Sequence, residues 1–188
     1  MKRNKFIAAI LMLSATPTLA FSKVNKLFMR KDKGFKIPAG EGRLHGHIQL
    51  KGVNANILDV KVSGTDTDGD LAIFEQISLS QGKGTPLHIH HFQDEIFYVI
   101  EGKYKFQVGE EKYDLTVGDS ILLPRKIAHA WTQVSEKGKM IVTMQPAGQL
   151  ENFFVTMAAL DHQPDQEEIA KIFSDNEMQV VGSALKLD

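Results

Sequence analysis

The stretch HIHHFQDE, residues 88–95, places three of the chain's seven histidines and two carboxylates within eight positions. Imidazole and carboxylate hold divalent transition metals where thiolate is lacking, and this chain has no cysteine. In an extended strand successive side chains alternate faces, so His88 and His90 project to one side and can converge on one ion while His91 faces away. Glu95 lies an odd number of residues from His90. An unbroken strand would aim it outward, and a turn or bulge in HFQD, residues 91–94, is needed to bring its carboxylate back. His129 is the best candidate for a fourth ligand. His45 and His47 repeat the alternating spacing in LHGH, but no carboxylate stands near them in the sequence, and they read as exposed histidines at a strand start. His162, in a polar turn, reads as solvated.

The elements that position these groups are short strands. From about Ile37 to Pro146 the chain runs as apolar or alternating segments broken by Gly and charged turns: LAIFEQISLS, EIFYVI, YKFQV, KYDLTV, SILLP, HAWTQV and MIVTMQP. Alternation is clearest in YKFQV, where Tyr104, Phe106 and Val108 share a face. Strands at this spacing without intervening helices predict an antiparallel sandwich or barrel. If Glu95 points inward, so do Phe97 and Val99. Ile96, Tyr98 and Ile100 then face out although apolar, which predicts cover by a partner subunit or the N-terminal arm. The tail differs, because ENFFVTMAAL and PDQEEIAKIFSDN carry helical periodicity and are expected to pack on the barrel. DTDGD, residues 66–70, has calcium-loop spacing, yet Leu71 stands where glycine is required and Ile77 where the bidentate glutamate is required, so it reads as a turn.

Composition narrows the function classes. The 188 residues carry 22 basic and 23 acidic side chains, without the clustered basic face that phosphate backbones require. Nucleic acid is therefore excluded as a partner. Lys2, Arg3 and Lys5 precede an apolar run from Phe6 to Leu13, then small residues at Thr18 and Ala20, the pattern of a cleaved export signal. The run is too short to span a bilayer. The expected organisation is a signal peptide over residues 1–20, an N-terminal arm over 21–36, a β-barrel over 37–148 and a helical extension over 149–188. The mature protein is expected to be periplasmic or secreted, with no membrane contact.

GKGTPLHIHHFQDEIFYVIEG, residues 82–102, resembles the first motif of the cupin superfamily, with Gly82, His88, His90, Glu95 and Gly102 at the defining positions. GDSILLPRKIAHAWTQ, residues 118–133, resembles the second, with Gly118, Pro124 and His129 in place. It departs at Lys126, where the family usually has Gly, and at Gln133, where it usually has Asn. The wider chain is similar to single-domain cupins described as quercetin-dioxygenase-like. This resemblance implies an all-β fold, a small antiparallel jelly-roll barrel, with His88, His90, Glu95 and His129 holding one divalent transition metal: Fe, Mn, Ni, Co, Cu or Zn.

Four protein ligands leave coordination positions free, as a catalytic site needs. The leading expectation is a metal-dependent dioxygenase acting on a small aromatic or flavonol-like substrate. Glu95 would double as general base, and Phe97, Phe106, Trp131 and Met144 would wall the substrate pocket. The alternatives are a non-catalytic barrel that binds a small ligand or metal, and a sugar or keto-acid isomerase. The outward apolar positions point to a homodimer.

Overall fold

The computed structural model describes residues 30–187. The expected signal peptide and the arm up to residue 29 lie outside them. Eleven strands and two helices are arranged around one core: β1 (Ile48–Gln49), β2 (Ile57–Val62), β3 (Ala72–Ser78), β4 (Leu87–His90), β5 (Asp94–Glu101), β6 (Tyr104–Val108), β7 (Glu111–Leu115), β8 (Ser120–Leu123), β9 (His129–Gln133), β10 (Gly138–Gln145), α1 (Leu150–Ala159), α2 (Gln166–Asp175) and β11 (Met178–Gly182). They form two antiparallel sheets, β1-β2-β3-β10-β5-β8 and β11-β4-β9-β6-β7. The result is a jelly-roll sandwich, open at its edges, in place of a fully closed barrel.

The core fills the space between the sheets. Phe74, Phe97, Tyr104, Phe106, Trp131, Leu58, Leu123, Met140 and Met144 are buried there. Phe97 meets Phe106 edge-on at 5.2 Å and lies 6.3 Å from Trp131, the offset geometry that ring quadrupoles favour. On β5, Glu95, Phe97 and Val99 point inward, while Ile96, Tyr98 and Ile100 remain 38%, 48% and 41% exposed. The described part of the arm does not cover them. It runs along the 63–70 turn, where Lys31 N–H donates to the Asp66 carbonyl and Arg30 pairs with Asp70.

Both departures from the second motif have a structural account. Lys126 takes the left-handed conformation at φ 68° that glycine would occupy without strain. Its N–H donates to the His90 carbonyl, which ties this turn to the ligand strand. Gln133 is fully buried; its amide donates to the carbonyls of Ser78, Ser135 and Glu136, and its oxygen accepts from Ser80 N–H. It staples the loops at that end of the sandwich. In DTDGD, Asp66 caps the turn and pairs with Lys31 and Arg43, so its carboxylate is already engaged.

The tail contributes more than helices, because β11 returns to pair with β4 beside the ligand histidines, Met178 opposite His90 and Val180 opposite His88. Between β10 and β11, α1 and α2 cover one mouth of the sandwich. Leu150, Phe153, Phe154 and Met157 recur at i, i+3, i+4 and i+7, and all four are buried, as are Ile172 and Phe173 of α2. At about 1.5–3 kcal/mol for each large apolar side chain, burial of these six stabilises the cap by at most about 9–18 kcal/mol. Buried Gln93 holds both ends of the cap. It lies against Gly148, leaving no room there for a Cβ, and its amide donates to Glu177 Oε2 at 2.6 Å.

Candidate metal centre

The two sheets supply different ligands. His88 and His90 stand on the inner face of β4, and His129 on the adjacent β9, directly opposite His88. Glu95 comes from β5 in the facing sheet. Residues 91–93 are the corner at which the chain leaves one sheet for the other. The expected reset is thus a change of sheet, and a bulge within one continuous strand is not what produces it. That corner also turns His91 away from the cluster.

His88, His90, Glu95 and His129 are all buried, and one ligand atom from each lies within 4.8 Å of all the others. His88 Nδ1 contacts the Pro86 carbonyl at 2.9 Å and His129 Nδ1 the Ile127 carbonyl at 3.0 Å. A carbonyl only accepts, so each Nδ1 carries the proton and each Nε2 is left with its lone pair for an ion. Nε2 of His90 and of His129 are buried without a hydrogen-bond partner. They stand 3.6 and 3.5 Å from Glu95 Oε2, too far for a hydrogen bond yet close enough for one ion ~2.1 Å from each to join them.

Electrostatics favour the same occupant. Burial pushes the His88 imidazole well below its ordinary value, and repulsion from His129 and His90 adds to this, so it stays neutral. Burial alone would raise the Glu95 carboxyl, but the neighbouring His129 and His90 outweigh it and hold the group well below the usual carboxylate range. Three imidazoles and a carboxylate are the donor set of a divalent transition-metal site. Left unpaired in a buried chamber they would carry a large desolvation cost.

The chamber beside the cluster is small, about 40 Å³. Phe97 and Trp131 line it; Phe106 and Met144 do not. Phe106 packs deeper, between Phe97 and Tyr104, and Met144 is sealed in the wall, paired with Glu95 across β10 and β5. Part of the rest of the lining comes from residues expected in helices without a role at the site, Phe153, Phe154, Met157 and Phe173, and part from Leu50, Lys51, Val53 and Asn54 around β1 and the turn after it. The Phe173 ring stands edge-on to His88 at 5.3 Å. The FFxxM spacing in ENFFVTMAAL was the available signal for a buried helical face, but not for what it would cover.

The other histidines are elsewhere. His47 Nδ1 lies 2.7 Å from Asp59 Oδ1, and His45 Nε2 lies 3.0 Å from Glu151 Oε1. Both histidines are exposed, and their carboxylates arrive from β2 and α1. His162 is exposed between Asp161 and Glu168. Among the described residues, no helix is long and apolar enough to cross a membrane.

Residues 76–145 match the family described as "Cupin domain". The chain is 33% identical over 87 residues to the quercetin 2,3-dioxygenase of Bacillus subtilis, a match covering 45% of this chain and 25% of that protein. It is 38% identical over 48 residues to the uncharacterized protein MJ1618 of Methanocaldococcus jannaschii, covering 26% of this chain and 38% of that one. The matches thus span only about a quarter to two fifths of the length of these two curated relatives. Among solved structures, an RmlC-like cupin from Shewanella frigidimarina aligns with a TM-score of 0.47 at 18% identity, over 63% of this chain and 96% of that one. Residues 76–145, which contain all four candidate ligand residues and strands of both facing sheets, form a cupin domain.

Proposed function

We propose that this protein is an exported, metal-dependent oxygenase acting on a small organic substrate. The observation that carries the reading is the buried His88, His90, Glu95 and His129 cluster, which opens onto an apolar chamber. A divalent ion bound there would supply Lewis acidity and free coordination positions for a substrate oxygen. Glu95 is ionised, and its carboxylate can accept a hydroxyl proton. The Nδ1 bonds to Pro86 and Ile127 fix the rings of His88 and His129. Phe97, Trp131 and the cap keep bulk water out. The likeness to a quercetin 2,3-dioxygenase supports oxygen chemistry, over a quarter of that protein's length. Export rests on the basic and apolar pattern of the first twenty residues. Pairing of two copies rests on Ile96, Tyr98, Ile100 and Leu122, all exposed on one sheet face.

Oxygen consumption by the metallated protein tests the reading, with a panel running from two-carbon hydroxy acids and short diketones to catechol and a flavonol. Uptake with any member, reduced at least ~100-fold in Glu95→Gln, is expected. No uptake with the whole panel would overturn it in favour of a non-catalytic metal-holding barrel.

A further inference from the structure

The chamber's size bears on what can enter. An apolar cavity that accommodates benzene measures about 150 Å³, whereas this one measures about 40 Å³. There is room for roughly two to four non-hydrogen atoms and none for a ring. The cap forms one wall of it, and residues 50–54 contribute to another. Phe173 stands against His88, Phe153 packs on Phe173 at 4.7 Å, and Phe154 is locked edge-on to Phe74 at 5.2 Å. The cap is not a loose flap: its apolar face is buried, Gln93 holds both of its ends, and β11 continues from it into the sheet beside β4.

Charge adds a second restriction. Imidazoles ligate as neutral groups and glutamate as an anion, so a divalent ion on this quartet leaves one net positive charge in an apolar chamber. A monoanion offsets that charge; a neutral ligand leaves it uncompensated. Gln76, Thr85, Asn54 and Lys51 are polar residues that also line the chamber.

We infer that Phe153, Phe154, Met157 and Phe173 are specificity-determining residues, restricting the metal centre to a small anion such as a short carboxylate or enolate and excluding aromatic rings. This rests on the oxygenase reading for what happens to the ligand, but not for which ligands bind.

Cobalt-loaded protein titrated with azide, formate, acetate, phenol and catechol, and followed by the visible absorption of the metal, tests binding without turnover. The three small anions are expected to change the spectrum, and phenol and catechol to leave it unchanged at tenfold higher concentration. In Phe173→Leu, which removes ring volume beside His88 at less risk to folding than Phe173→Ala, phenol should gain at least about tenfold in affinity while azide changes less than threefold. Phenol or catechol binding the unsubstituted protein as tightly as azide would overturn the inference, and so would failure of all three anions. Each of these outcomes can be read in the unsubstituted protein, and none depends on oxygen uptake.

Discussion

Two His-x-His segments in this chain have opposite fates. In His88-Ile89-His90 the spacer is a β-branched strand former, the segment extends as β4, and both imidazoles enter the interior toward a carboxylate from the facing sheet. In His45-Gly46-His47, His45 and Gly46 are left-handed at φ 62° and 63°, so the alternation a strand would impose is lost. The two exposed rings then separate to different carboxylates, half-buried Glu151 and buried Asp59. Spacing alone does not make a ligand pair. Extended backbone, burial and a convergent carboxylate do.

Several substitutions sharpen or break this contrast. His90→Ala should reduce affinity for a divalent metal by at least about 100-fold, whereas the double substitution of His45 and His47 by Ala should leave it unchanged; competitive titration with a chelating dye measures both. Saturating metal at ~100 times its dissociation constant adds about 2.7 kcal/mol, so the unsubstituted protein should gain roughly 5–10 °C in melting temperature. The same gain is expected in the His45, His47 double variant and none in His90→Ala.

Effects at the exposed pair are smaller. Asp59 is completely buried, with Oδ2 already unpartnered. Removing its neighbour in His47→Ala should lower the melting temperature by about 2–5 °C, while His45→Ala should leave it unchanged within error. The smallest effect is the pH dependence of that loss. The hydrogen bond to Asp59, aided by its charge, raises the His47 imidazole above 6.5. Its contribution is then fully present below about pH 6.5 and lost as pH rises through the raised value. The melting difference between His47→Ala and the unsubstituted protein should therefore narrow between pH 6 and pH 9.

The same contrast explains how much was legible in the sequence. Alternation within β4 and the Gly and His landmarks of the two motifs are local signals, and they carried the candidate cluster and the antiparallel architecture. The corner at residues 91–93 was legible as a required break, but its nature as a crossing between sheets depends on strand partners far along the chain. β2 was missed because ILDVKV sits in a polar stretch. β11 was missed because Met178–Gly182 is a short segment after a helical tail and its strand partner, β4, lies far away along the chain. Of the four expected pocket residues, Phe97 and Trp131 line the chamber. Inward alternation could not separate them from Phe106 and Met144, since depth within a sandwich is a tertiary property. The cap's role over the metal centre was invisible for the same reason, because helical periodicity marks a buried face without saying what it buries against.

The most direct measurement is the metal content per chain, by elemental analysis of purified protein after dialysis, for the unsubstituted chain and for His88→Ala combined with His90→Ala. The account predicts about one divalent ion per chain in the first and essentially none in the second, with the His45, His47 double variant indistinguishable from the unsubstituted chain. An unsubstituted protein that takes up no divalent ion when offered each in turn, or a double His88, His90 variant that retains a full complement, would contradict it.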